Sequence, residues 1–459
     1  MEKETIKIIK DPVHNYIKLN EDDLKIIDTL LFQRLRNIHH LGTGFLTYPG
    51  ATHSRFEHSL GVMQLGVFAL LNTFKNSPEF WTDDAELRNN YLRTLRYACL
   101  LHDIGHTPFS HVCETFIKKD TLCKEIMDNG LSFGKETLLK LQNSQSHVLL
   151  SCSIVLSEYS EILKELKIDP LDVCAIILGQ IRSEKEGDRV HYDVLKSILD
   201  SPIDVDKLDY LLRDNYVTGV TLVSLDRERL IESYTVTDNT LSLSGKAIST
   251  IANLIYGRES MYMWVYQHHK VVFTDNLLKM IITNLIDEGV IDSEEFFTKE
   301  KIIEDLVDDY DIINIIRKNK DRESIYNLYK MWRERSFLKS CWKSVFDFKA
   351  LTSENSTVRA ALKKKCLENP KEMQDKIRKH FDLKQDEVVV TRAQFSPFKP
   401  ANVDVNIVIR NKTMSVGQDF DIVNQQADFY SNLPYVYVPK EYVDRCNDFL
   451  ISNVTKFPF

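Results

Sequence analysis

Apolar residues first recur in β-type runs. Residues 6 to 19, IKIIKDPVHNYIKL, are interrupted by Asp11-Pro12, which predicts a short two-stranded arm. Helical spacing then takes over. Leu24, Ile27, Leu30, Leu31, Leu35 and Ile38 recur at three- and four-residue intervals, predicting one helix from Glu21 to Ile38. Asn20 is placed to cap it, with Asp23 at the third position of a capping box. After a loop rich in small residues, His53-Ser54-Arg55-Phe56-Glu57-His58 opens a helix that stays apolar to about Phe74. Others are predicted from Tyr91 to Leu101, from Ser146 to about Leu156, and from Pro170 to near Gln180. Ile203 to Asn215 reads as a helix with Asp206, Asp209 and Asp214 as inward carboxylates. Thr235-Val236-Thr237 and Leu241-Ser242-Leu243 flank Asp238-Asn239, a hairpin pattern. The longest helical pattern lies between Gly245 and Ile286.

The character changes near residue 289. Residues 293 to 340 read as charged helices, and a further helix runs from Pro370 to about Phe381. Glu387 to Arg392 and Val403 to Ile409 read as strands, with a turn at Asn411-Lys412. The expected fold is mainly α: a helical part over residues 1–289 fronted by the β arm, then a smaller α+β region over 290–459. Within the first part, the polar stretch 118–145 reads as an insertion, either a lid or disordered. Arg182 to Arg189 reads as an exposed turn.

Composition narrows the class. A chain of 459 residues can build two or three domains, and 43% hydrophobic with 27% charged residues is ordinary for a globular protein. The net charge of -8 argues against a broad nucleic-acid surface, though a local basic pocket is compatible with it. No run of about 18 apolar residues predicts a membrane span, and Met1 to Thr5 lacks a signal-peptide core. The eight cysteines are scattered without a CxxC pair, which reads as reduced, buried thiols in a cytoplasmic protein.

The densest chemistry lies in Leu100-Leu101-His102-Asp103-Ile104-Gly105-His106-Thr107-Pro108-Phe109-Ser110-His111. Neighbours on a helix point about 100° apart, so His102 and Asp103 cannot both face one core. At a helix end broken by Gly and Pro they can instead aim at one ion. Imidazole with carboxylate suits Mn, Fe, Zn or Mg rather than Ca. His58 and Asp206 extend the set to four ligands on different predicted helices or helix ends, an arrangement that leaves open positions for water and substrate. The plain alternative for this segment is a polar helix terminus.

Those four residues match the HD superfamily of metal-dependent phosphohydrolases. Phe32-Gln33-Arg34-Leu35-Arg36, Pro49 to Val62, His102 to His111, and Asp204-Val205-Asp206-Lys207-Leu208-Asp209-Tyr210 resemble the deoxynucleoside triphosphate (dNTP) triphosphohydrolases. The resemblance covers roughly residues 5 to 285 and implies an HD-domain helical core. It implies that His58, His102, Asp103 and Asp206 hold the metal. Arg55, Lys207 and Arg258 would contact the triphosphate; His40, Tyr210, Asp214 and Tyr262 would also line the substrate site. His106, His111 and His147 match catalytic histidines. Glu114, three residues after His111, is spaced to orient it. Asp28, Gln33 and Arg36 match residues that read guanine at an activator site between subunits, so the resemblance implies a GTP or dGTP activator and a homo-oligomer, dimer or tetramer. A dNTP is the implied substrate; membrane and nucleic acid are not expected partners. The chain departs from the family in three places. Val148 follows His147 where a glutamate is usual, weakening the polar support of that histidine. His40 replaces a glutamine beside the sugar, and Lys10 an asparagine near the activator site.

Overall fold

The computed structural model describes residues 4–352, 355–392, 405–410, 412–416 and 433–457. Strands β1 (Lys7–Asp11) and β2 (Asn15–Leu19) pair antiparallel and form the expected arm. Asn20 and Asp23 make the reciprocal capping box that starts α1 (Glu21–Ile27). The single helix expected to Ile38 is broken. Thr29 is extended, accepts from Phe32 N at 3.2 Å and donates to Ile26 O at 2.8 Å, so the chain restarts as α2 (Leu30–Gln33) and a 3-10 turn, Arg34–Asn37. A threonine hydroxyl bonding nearby backbone competes with an unbroken helix.

The core of the site is built on α3 (Arg55–Asn76) and α4 (Ala85–Leu101). Leu60, Val62, Met63, Leu65, Val67, Ala69 and Leu70 of α3 are all buried, so this helix is enclosed rather than amphipathic. The segment 118–145 is helical, not irregular: α5 (Lys119–Asp128) and α6 (Thr137–Asn143) bury Leu122, Cys123, Ile126 and Leu141. Then follow α7 (Ser146–Ile154), α8 (Ser160–Glu165), α9 (Pro170–Ile177), α10 (Arg189–Leu199), α11 (Val205–Thr218) and α12 (Arg227–Glu232). Arg182, placed by its charge in an exposed turn, is buried instead. It pairs with Asp172 at 2.9 Å and also with Asp169 and Glu184, so a charged run had hidden an internal ion pair.

β3 (Tyr234–Thr237) and β4 (Thr240–Ser244) form the hairpin, with Asp238 and Asn239 both left-handed at φ 52° and 59°, as a two-residue primed turn requires. The long helical pattern after Gly245 is also interrupted. It comprises α13 (Ile248–Met261), a π-helical turn Tyr262–Tyr266, and α14 (His269–Asp287), where the His268 side chain caps by accepting from Lys270 N.

The described residues of 1–258, 292–312 and 400–423 form one compact unit, and those of 259–291, 313–399 and 424–459 form a second. In the first, strand Asn406–Ile409 adds parallel to β4 and pairs antiparallel with Lys412–Ser415, completing a four-stranded sheet. Val403 and Asp404, expected to begin that strand, and Asn411, expected in the turn, lie outside the described residues. In the second unit, Pro434–Val438 is the central strand between Lys339–Ser340 and Val389–Arg392, and all five of its residues are buried. Helix α14 packs there on the helix Glu323–Glu334.

Candidate metal centre and its surroundings

His58 sits in the first turn of α3, whose start is fixed by a capping box: Glu57 accepts from Ser54 N at 2.9 Å. His102 follows the last residue of α4, and Asp206 lies in the first turn of α11. The fold brings these termini together. His58 Nε2 lies 3.0 Å from Asp206 Oδ1 and 3.6 Å from Asp103 Oδ2. His102 Nε2 lies 3.6 Å from Asp206 Oδ1 and 3.4 Å from Asp103 Oδ1. His58, His102 and Asp103 are buried, while the Asp206 side chain keeps 32% exposure and opens the cluster to solvent.

Whether these residues fit a cation is decided by their hydrogen bonds. His102 Nδ1 donates to Cys99 O at 2.8 Å, and His58 Nδ1 donates to Asp209 Oδ2 at 2.8 Å. Carbonyls and carboxylates only accept, so each neutral imidazole keeps its lone pair on Nε2. Both Nε2 atoms are buried without a hydrogen bond, facing carboxylate oxygens. Lone pairs converging on lone pairs repel unless a proton or a cation lies between them. The donor set therefore fits a divalent metal. Without one, protons take that place: burial disfavours charge on His58, but Asp206, Asp209 and Asp103 outweigh it and hold its pKa up to about 10. Burial likewise opposes ionised Asp206, and the two imidazoles overcome it, holding its carboxyl well below the usual range.

Behind His58 stands an ionic layer that was not foreseen. Asp209 Oδ1 meets His14 Nε2 at 2.5 Å, while Arg213 Nε donates to Asp209 Oδ2 at 2.9 Å and Nη1 to Asp11 Oδ2 at 2.8 Å. All four side chains are buried. The four-residue spacing of Asp209 and Arg213 on a helix was a usable signal; His14, 195 positions away from Asp209, offered none. A Cβ at Gly61 would stand 1.9 Å from Asp209 Oδ1, so only glycine lets α3 pass this layer.

A second group lies beside the first. Glu114 Oε1 is 2.9 Å from His111 Nδ1, 2.8 Å from His147 Nδ1 and 3.3 Å from His106 Nδ1. The His106 and His147 rings stack with centroids 4.1 Å apart. His147 was expected to lose polar support through Val148; Glu114 stands within ion-pair reach instead. Burial, with Arg55 and His147 close by, holds the pKa of His106 well below its usual value. Burial opposes the Glu114 carboxylate, but His147 and His111 outweigh it and hold its pKa well below the usual range. His111 is 59% exposed, the outermost of the three. Gly105 permits the approach of this turn to α7: a Cβ there would lie 2.2 Å from Ser151 N. Ser151 Oγ in turn donates to His102 O at 2.6 Å.

The remaining expected residues divide. Arg55 is buried, donating through Nη1 to Asp103 Oδ2 at 2.7 Å and through Nε to Ser110 Oγ at 3.0 Å. Lys207 Nζ pairs with Asp204 at 2.5 Å. His40 is buried with its ring 4.5 Å from that of His58 and Nε2 3.9 Å from Asp214 Oδ1. Asp214 also takes a 2.7 Å contact from His53 Nε2, a partner the sequence did not suggest. Tyr210 on α11 and Arg258 on α13 are half-buried. Tyr262 belongs to the second unit, its ring edge-on to Tyr266. Of the surface trio, Arg36 Nε donates to Gln33 Oε1 at 2.7 Å and Arg36 covers the Phe56 ring at 3.5 Å, while Asp28 is exposed at the C-terminal end of α1.

The chain is similar to known proteins along most of its length. An HD-domain model matches residues 55–214, and a model of the HD-associated region matches 225–454, half of the chain. An uncharacterized protein of Methanocaldococcus jannaschii is 30% identical over 336 residues, 71% of this chain and 59% of that protein. The deoxynucleoside triphosphate triphosphohydrolase of Homo sapiens is 31% identical over 288 residues, 61% of this chain and 44% of that protein. The chain thus spans less than two thirds of either relative. A solved phosphohydrolase structure from Bacteroides thetaiotaomicron superposes with a TM-score of 0.66 at 22% identity, covering 95% of this chain and 99% of that one; it shares the fold. The chain belongs to the HD-domain phosphohydrolase family, in the group whose curated relatives include deoxynucleoside triphosphate triphosphohydrolases.

Proposed function

We propose that the chain hydrolyses dNTPs to a deoxynucleoside and inorganic triphosphate in a metal-dependent reaction. One observation carries this reading: two unpaired Nε2 lone pairs and two carboxylates converge beside a buried arginine and a histidine group. Similarity to a named dNTP triphosphohydrolase supports the substrate class. His58, His102, Asp103 and Asp206 would hold the ion, whether Mn, Fe, Mg or Zn. Once bound, a divalent cation lowers the pKa of water and polarises a phosphoryl oxygen.

The chain's own groups would do the rest. Arg55, Lys207 and Arg258 would take up the charge of the triphosphate, roughly four negative charges, and Lys207 would exchange Asp204 for phosphate. His40, Tyr210 and Asp214 would hold the nucleoside. Water adds its oxygen to the α-phosphorus, the bond to O5′ breaks, and His111, oriented by Glu114, gives its proton to that leaving oxygen. The proton lost by water restores His111 through solvent. His106 and His147 flank the reacting phosphate. On this reading residues 1–289 are the catalytic domain and 290–459 support it. Asp28, Gln33 and Arg36 would bind a GTP or dGTP activator in a homo-oligomer. Exposed Ile6, Ile8, Tyr16 and Leu30 in the same part of the sequence suit a subunit contact. Among the described residues no helix is long and apolar enough to cross a membrane, and the eight free, buried thiols suit a reducing, cytoplasmic setting.

The test is incubation of purified protein with each dNTP, with and without metal and GTP, resolving the products. Triphosphate release is expected. Pyrophosphate or orthophosphate alone would favour a second reading, hydrolysis of another nucleotide phosphoester, to which the buried His40–Asp214–His53 group at the expected sugar position lends support.

A further inference from the structure

The turn between His106 and His111 is held by a segment that follows the HD-domain match. Asp309, the first residue of the helix Asp309–Lys318, is fully buried. Its Oδ1 accepts from Phe109 N at 2.5 Å, and its Oδ2 accepts from His39 N at 2.9 Å and His39 Nδ1 at 2.6 Å. Phe109 and Ser110 are both left-handed, at φ 56° and 52°. Neither residue type favours that conformation, and consecutive residues in it persist only where their surroundings impose it.

The same segment grips the other end of the turn. Arg34 donates through Nε to Val307 O at 2.6 Å and through Nη2 to His106 O at 2.7 Å. Asn37 donates to Asp308 at 2.7 Å, and Ser110 Oγ donates to His39 O at 2.7 Å. Residues 307–309 are therefore tied to the turn at His106 through Arg34, and at Phe109 and Ser110 directly and through His39. A carboxylate can accept these three N–H groups together. An amide cannot, because its own N–H₂ would face a donor.

We propose that Asp309 is a positioning residue: by holding Phe109 and Ser110 left-handed, it fixes His111 against Glu114 and His147. This rests on the histidine roles proposed above. The test compares Asp309→Asn and Asp309→Ala with the wild type in three ways. These are steady-state kinetics, metal content with thermal unfolding, and the rate at which diethyl pyrocarbonate modifies His111, followed by mass spectrometry. Asp309→Asn is expected to keep its metal and a cooperative transition. Its kcat should fall roughly tenfold to a hundredfold with KM near wild type, and His111 should be modified at an altered rate. Wild-type kcat and wild-type His111 modification in folded Asp309→Asn would overturn the proposal. If the wild type hydrolyses no nucleotide, the functional reading fails, and the modification rate still decides whether Asp309 places His111. Should neither variant fold, His39→Ala, which removes one of the three contacts, is measured in the same way. An unchanged modification rate there overturns the proposal too.

Discussion

The two units bury polar groups for different ends. In the first, His14, His58, Asp103, Asp209, Asp11 and Arg213 are packed against one another out of solvent, and among the described residues seven imidazole nitrogens, on His40, His53, His58, His102, His106 and His147, are buried without a hydrogen bond. In the second, buried Lys365 gives its Nζ protons to two backbone carbonyls, Val454 O and Phe457 O, each at 2.6 Å. Cys341, Cys366 and Cys446 are buried there as small apolar groups, with burial helping to push the Cys366 thiol upward. A buried ion network is a poor route to stability, since desolvation consumes most of the Coulombic gain. A buried lysine that closes helix and chain-end carbonyls removes a local defect. Several ionisable groups buried together surround the candidate metal centre of the first unit, whereas in the second the buried Lys365 serves backbone carbonyls.

Breaking this contrast should hurt most at the ligands. Asp206→Ala is expected to lower turnover by about three orders of magnitude or more, as losing several kcal/mol of metal assistance would. Metal content measured on the purified variant should fall with it. Arg213→Ala leaves Asp209 and Asp11 buried without their cation, so denaturant titration should show a loss of about 3–5 kcal/mol, larger than any single change expected in the second unit. Lys365→Met should cost about 1–3 kcal/mol through two unsatisfied carbonyls, yet leave turnover untouched; a matching loss of activity would blur the division drawn here.

The smallest effect concerns pH. Burial, with Lys270 next in effect, pushes His268 down to about 4, and burial, with His268 and Lys270, does the same to His269. Both are then neutral in the fold while the unfolded chain takes up protons near pH 6.5, so stability is full above that value and declines as pH falls toward 4. Both rings are part-exposed, so the slope will be shallow. Unfolding followed at pH 5 and pH 7 checks it; Asn replacements should flatten the difference.

Much of this was legible in the chain. Capping residues Asn20 and Asp23, the Asp238-Asn239 turn and the Pro170 start act through neighbours a few positions away, so spacing alone reveals them. The helices carrying His58, His102 and Asp206 were legible because each repeats its apolar residues over several turns. The breaks at Thr29 and Tyr262 were not, since an apolar period can continue through a kink while the backbone changes its bonding.

Local order along the polypeptide therefore settled many of the helices, those carrying His58, His102 and Asp206 among them, and which side chains at their ends are chemically able to bind a cation. Tertiary structure alone decided that His14 and Asp11 reach Arg213 and Asp209, that Arg182 goes inside, and that Asp309 reaches back to Phe109. The physical reason is that such partners satisfy burial rather than periodicity. A charge is driven to find its counter-charge only once packing has removed water, and no spacing in the sequence records where packing will bring that partner.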